Sequence, residues 1–93
     1  MKNILVVCGF GVATSTMALK KIEEELKNRN MRNVIIKQCN IAELKEKYYK
    51  YDLIVAMTNV NLELNIPIVS GIPFLLEKGK KEAIEKIINI IKN

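Results

Sequence analysis

Ile4-Leu5-Val6-Val7-Cys8-Gly9-Phe10-Gly11-Val12-Ala13-Thr14-Ser15-Thr16-Met17 is the stretch on which the reading of this chain turns. Four consecutive apolar residues of the β-forming kind, with no polar alternation, describe a strand buried on both faces, as in a parallel sheet. Glycines at 9 and 11 end the run, and three hydroxyl residues then open a helical segment. That helix is expected from Thr14 to about Arg29. Ala18, Ile22 and Leu26 recur at four-residue spacing, while Lys20, Lys21, Glu24 and Lys27 fall largely off that line. Asn28 and Asn30 suit the end of such a helix.

Outward from there, Val34-Ile35-Ile36 begins a second strand reaching about Cys39, and the admixture of Lys37 and Gln38 marks a more exposed edge. Asn40 is placed to cap a short helix, with Glu43 in the capping-box position three residues on. Leu53-Ile54-Val55-Ala56 reads as a third buried strand. Pro67-Ile68-Val69 reads as a short fourth one, where proline implies a strand start or a sheet edge. Ile84, Ile87, Ile88 and Ile91 follow the i, i+3, i+4, i+7 rule of an amphipathic helix. Strands and helices alternate, so the fold class is α/β, an open parallel sheet with helices on both faces. Such sheets bind ligands at the carboxyl ends of their strands, where Cys8 falls.

Composition narrows the chemistry. With 93 residues there is room for one domain, residues 1–93. Apolar residues at 49% and charged residues at 27% exclude a disordered or collagen-like chain. Two cysteines are too few for a disulfide scaffold. The count of histidines is zero, which removes the usual general base, the Ser-His and Cys-His pairs and most zinc sites. No metal and no cofactor are expected. The net charge of +5 comes from scattered residues such as Lys20, Lys27, Arg32, Lys45, Lys80 and Lys92. Three Tyr, two Phe and no Trp offer little for base stacking, so an acidic protein partner is expected rather than nucleic acid. No apolar run approaches the roughly 18 residues of a membrane span, and Ile4 to Val7 is too short for an export signal. A cytoplasmic chain with reduced thiols is the expectation.

The Cys8 loop carries the chemistry. Backbone N–H groups of a glycine-containing loop and of a helix N-terminus converge on one point, and the helix dipole favours an anion there. The same field favours the thiolate, the nucleophilic form of cysteine. From Asn3 to Leu19 there is no charged residue, so nothing in the loop repels a phosphate. The hydroxyls of Thr14, Ser15 and Thr16 are placed to bind it. The plainer alternative is a small apolar Cys8 at a strand end beside an ordinary helix cap. Thiol phosphatases carry an arginine six residues after the cysteine, to bind phosphate bidentately. Here that position is Thr14. The loop also holds no acid to protonate a leaving group; Asp52 and Glu63 could supply one from a distance, but each reads more readily as an ordinary solvated carboxylate or cap. These features favour a site that accepts a phosphoryl group and holds it until an acceptor arrives.

Cys8-Gly9-x-Gly11-Val12-Ala13-Thr14-Ser15-Thr16-Met17 resembles the phosphocysteine loop of the IIB subunits of the bacterial sugar phosphotransferase system, most nearly the galactitol type. The resemblance extends to Gln38-Cys39 and to Ile66-Pro67-Ile68-Val69-x-Gly71-Ile72-Pro73-Phe74, and so spans nearly the whole chain. It implies a four-stranded sheet in the order 2-1-3-4, like that of low-molecular-weight tyrosine phosphatases. It further implies a phosphotransferase relay: a phosphohistidine on a IIA protein donates to Cys8, which passes the group to a sugar or polyol bound by a membrane-embedded IIC permease. Carried over, Cys8 is the nucleophile, and Gly9, Phe10, Gly11, Val12, Ala13, Thr14, Ser15 and Thr16 bind the phosphate. In such a relay the donor brings its own histidine, the transporter is a separate chain, and the sugar is read on that chain.

Phe10, Val12 and Phe74 are candidates for an apolar rim that partners cover during transfer, with core packing as the alternative, favoured for Val12 and not for Phe10. A thiol phosphatase or arsenate-reductase-like enzyme, and a non-enzymatic phosphate-sensing module, remain the alternatives. Cys39 reads either as a buried structural thiol or as the partner of Cys8 in a reversible disulfide.

Overall fold

Four short apolar segments form the sheet: β1 (Lys2–Cys8), β2 (Val34–Asn40), β3 (Leu53–Ala56) and β4 (Ile68–Ser70). All pairs are parallel, in the order β2-β1-β3-β4. The computed structural model describes residues 2–9, 13–60, 64–76 and 78–92, and of Ala13, Thr14 and Ser15 the backbone alone. Around the sheet lie α1 (Ala13–Asn28), α2 (Ile41–Lys47), α3 (Ile72–Leu76) and α4 (Lys80–Ile91), with a single 3-10 turn at Tyr48–Lys50.

Because side chains alternate along a strand, the unbroken apolar run of β1 feeds two cores. Ile4 and Val6, with Leu53 and Val55, meet Ala18, Ile22 and Leu26 of α1, Phe74 of α3, and Ile84, Ile87 and Ile91 of α4. Leu5, Val7, Ile54 and Cys39 meet Leu44 of α2 on the opposite face. Helices therefore cover both faces, three on one and one on the other. Burying each such aliphatic side chain contributes about 1.5–3 kcal/mol. β2, on the edge, buries only Cys39 fully, as its mixed composition implied.

Capping residues set the turns that aim the chain at the sheet's carboxyl edge. Asn30 adopts left-handed backbone, φ 60°, and ends α1 in a Schellman arrangement. Its N–H donates to the Lys27 carbonyl at 3.0 Å, and the Met31 N–H donates to the Leu26 carbonyl at 2.9 Å. α2 starts without a spacer after β2: Asn40 Oδ1 accepts from the Glu43 N–H at 2.9 Å, and Glu43 Oε1 accepts from the Asn40 N–H at 3.2 Å. Glu43 also pairs with Lys47 at 2.9 Å, which holds its carboxyl below the usual range. Asn40→Ala removes the cap and is expected to cost about 1 kcal/mol. That is a drop of roughly 4–8 °C in Tm, and an unchanged Tm would show that the box contributes nothing.

Two elements differ from the sequence reading. β4 is shifted by one residue, with Pro67 just outside the ladder, although its carbonyl still accepts the Ile54 N–H at 3.0 Å. α3 was not expected, since five residues are too few to display a helical period. Pro73 sits in its first turn, where a missing N–H costs nothing, and Phe74 turns fully into the core.

Candidate functional site

Cys8 is the last residue of β1 and lies level with Asn40 at the end of β2. The chain next appears as the first turn of α1, which begins at Ala13 and contains no acidic residue. A helix start leaves four N–H groups without intrahelical partners and carries a partial positive charge. Here neither is offset by a carboxylate within the turn. Of the sequence-derived phosphate residues, Gly9 follows Cys8 directly, and Ala13, Thr14, Ser15 and Thr16 form that first turn. Phe10, Gly11 and Val12 lie outside the described residues. The Thr16 hydroxyl donates to Gln38 Oε1 at 3.2 Å, which ties the start of α1 to the end of β2.

The sulfur itself is turned inward. Cys8 is 6% exposed, and its thiol donates to the Cys39 carbonyl at 3.7 Å. Only a protonated sulfur can make this bond. A sulfur that has lost its proton, or exchanged it for another group, has none to give and cannot make this bond.

Cys39 occupies a different environment. It packs with Leu5, Val7 and Leu44 on the α2 face, and both cysteines are free thiols. Cys8 is level with Asn40 and not with Cys39, so strand alternation points the two Cβ atoms to opposite faces. A disulfide needs converging Cβ vectors, and this register does not supply them. Burial pushes the Cys39 thiol above its ordinary value of 9.0; Glu43 adds to the rise, Lys47 opposes it, and Cys8 adds a little more.

A pH dependence arises from that shift. Above pH 9.0 the unfolded chain gives up this proton before the folded one does, so stability is full below 9.0 and is lost as pH climbs toward the raised folded value. Urea titrations should show Cys39→Ala losing less stability over that interval than the parent, and parallel slopes would contradict the assignment.

Facing Cys8 across the sheet is the segment after β3. The Met57 N–H donates to the Val7 carbonyl at 2.8 Å, one rung beyond the paired strands. Thr58 then lies against Gly9: a Cβ on that glycine would sit 3.3 Å from Thr58 Oγ1. Beside it opens a cleft of about 470 Å³ lined in part by Thr58, Asn59, Val60, Ile68 and Ser70. A larger groove of about 670 Å³ runs between α1 and the β2 edge, past Lys20, Lys27 and Arg32. On α1 it begins at Lys20, past the first turn of the helix, and it does not include Cys8.

Two sequence expectations change here, and one lies beyond the described residues. Asp52 is no acid supplier: its Oδ2 accepts the Asn3 N–H at 2.8 Å, and Asn3 is the second residue of β1, at the far end from Cys8. Glu63 lies outside the described residues. Phe74 is no rim residue, being wholly buried, while Met17 in the second turn of the site helix is 51% exposed. Thr58 escaped the sequence reading. The rule that ligands gather at strand carboxyl ends, applied to β3 as well as β1, is the signal that points to it. Among the described residues no helix is long and apolar enough to cross a membrane.

Known proteins resemble this chain in sequence and in fold. The sequence pattern of the family described as PTS system, Lactose/Cellobiose specific IIB subunit, matches residues 3–87. The galactitol-specific EIIB component of the PTS system from Escherichia coli is 35% identical over 91 residues, covering 97% of this chain and 96% of that protein. A putative phosphotransferase enzyme IIB component, SgcB, of the same organism is 36% identical over 75 residues, covering 81% and 80%. The lactose-specific IIB domain of the phosphotransferase system from Streptococcus pneumoniae superposes with a TM-score of 0.63 at 18% identity, covering 95% of each chain. That last likeness concerns the fold, an open sheet in the order also found in low-molecular-weight phosphatases.

Proposed function

Because the chain belongs to the family of PTS system IIB subunits, phosphotransferases that work with IIA and IIC partners, we propose that Cys8 is its phosphoryl carrier. The observation that carries this reading is the position of Cys8 at the carboxyl edge of the sheet, ahead of a helix start without acidic residues. A phosphohistidine of a IIA protein is the donor, and a polyol of the galactitol kind, held by a membrane-embedded IIC permease, is the acceptor. The identity with a galactitol-specific component over nearly the full chain supports that choice. The relay operates at the cytoplasmic side of the membrane.

In the first transfer the P–N bond of the donor breaks as an S–P bond forms at Cys8 Sγ. The thiol proton ends on the departing imidazole. In the second, a hydroxyl oxygen of the polyol attacks phosphorus, the S–P bond breaks, and the hydroxyl proton returns to the sulfur. The restored thiol can again donate to the Cys39 carbonyl, closing the cycle. The backbone from Gly9 to Ser15 and the hydroxyls of Thr14 and Ser15 hold the phosphate oxygens, and the Thr16 hydroxyl joins them on exchanging its bond to Gln38. Neutral N–H and O–H groups bind the dianion without the full charge of an arginine, which suits a group that must be passed on. Thr14 in the arginine position, and Asp52 committed to the far end of β1, weigh against a phosphatase.

Incubation with a phosphorylated IIA protein of the galactitol type tests the proposal. The expected result is a ³¹P resonance of a phosphorothiolate and a label that maps to the peptide containing Cys8. A label elsewhere, or steady release of phosphate from aryl phosphates with no labelled intermediate, would overturn it.

A further inference from the structure

The order β2-β1-β3-β4 means that the chain leaves β1 toward one side and later returns to the other. The crevice of such a sheet opens between the carboxyl ends of β1 and β3, where the connections diverge. One wall is Cys8 and Gly9. The other is the segment beginning at Met57, held in register by its 2.8 Å bond to the Val7 carbonyl. We propose that Thr58 is a further phosphoryl-binding residue, whose hydroxyl donates to an oxygen of the phosphate carried on Cys8. This deepens the carrier reading and rests on it.

The placement argues for the hydroxyl specifically. The three heavy atoms nearest an ideal Cβ on Gly9 all belong to Thr58, and the closest of them is Oγ1 at 3.3 Å, ahead of Cβ at 3.6 Å and Cγ2 at 3.7 Å. Thr58 is exposed, and among the described residues its hydroxyl has no hydrogen-bond partner. A polar group is thus presented at the peptide next to the nucleophile and left open to the crevice. The unloaded sulfur points the other way, toward the Cys39 carbonyl on the β2 side. Once phosphorylated it must leave that acceptor, and rotation away from β2 turns it toward the β3 side, where Thr58 stands against Gly9. Gly9 completes the case: a side chain there would press on the Thr58 hydroxyl.

Thr58→Val keeps the shape that packs on Gly9 and removes the hydroxyl, whereas Thr58→Ser keeps the hydroxyl. Each protein is labelled by a phosphorylated IIA protein, and the equilibrium fraction of phospho-Cys8 and its rate of loss to water are followed. Loss of one hydrogen bond to a charged group predicts about a fivefold or larger fall in the loading equilibrium for Thr58→Val. Thr58→Ser is expected within twofold of the parent, and both variants are expected to melt with it. Wild-type labelling at Cys8 with Thr58→Val equal to the parent would overturn the role of Thr58 alone. Equal losses in both variants would reduce Thr58 to a packing residue and also overturn it. Absence of any label on wild-type Cys8 would remove the carrier reading, and this proposal with it.

Discussion

Cys8→Ser is expected to abolish phosphoryl labelling from a phosphohistidine donor, by at least about a thousandfold, while leaving the folded structure in place. The sulfur is replaced by an alcohol oxygen, which stays protonated at neutral pH and is a far weaker nucleophile without a general base. No histidine exists anywhere in the chain to serve as that base. The structural loss is small, one long S–H···O contact of 3.7 Å at the end of β1. Tm should therefore change by no more than a few degrees, and circular dichroism should be unaltered. Labelling that persists in Cys8→Ser would place the acceptor on another residue. A wild-type protein that takes no label, yet binds inorganic phosphate as tightly as Cys8→Ser does, would instead describe a phosphate-sensing module.

The largest expected effect on stability comes from Gly71→Ala. Gly71 joins β4 to α3: its N–H donates to the Ala56 carbonyl at 2.9 Å, and its carbonyl accepts the Phe74 N–H at 3.1 Å. A Cβ added there would stand 2.7 Å from Val55 Cγ1 and collide with Met57 Sδ. The methionine can swing aside, but Val55 is buried in β3 and cannot. Overpacking of this kind costs about 1–3 kcal/mol. For a domain of this size that lowers Tm by roughly 5–20 °C. The strain also falls on Met57, whose N–H positions the Thr58 segment, so loading of Cys8 should weaken along with stability. A Gly71→Ala protein as stable as its parent would show that β4 and α3 can separate freely, and that the tight turn is not needed to seat Phe74.

Much of this architecture is legible in residue order because it is local. Ile4 to Val7 and Leu53 to Ala56 are strands buried on both faces, as their unbroken apolar runs require. The four-residue spacing of Ala18, Ile22 and Leu26 became the buried stripe of α1, and the isoleucines of α4 did the same. The Asn40 and Glu43 box formed as its spacing implied. Where the reading stopped short, the cause was length or distance. α3 is too brief to show a period, and Phe74, read as a rim residue, is drawn inward by the turn at Gly71. Asp52 looked available because nothing near it in sequence reveals a partner 49 residues away.

Residue order alone determined the α/β class, the strands and helices, and the position of Cys8 at a strand's carboxyl end before a helix start free of acidic charge. These arise from hydrophobic period, turn chemistry and charge spacing, all of which act within a few residues. Tertiary structure alone decided that the unloaded sulfur turns to the Cys39 carbonyl, that Thr58 stands over Gly9, and that Asp52 serves the opposite end of the sheet. Each of these depends on strand register between segments far apart in the chain. A shift of one residue there would turn every side chain to the other face, and no local pattern records which register closes both cores at once.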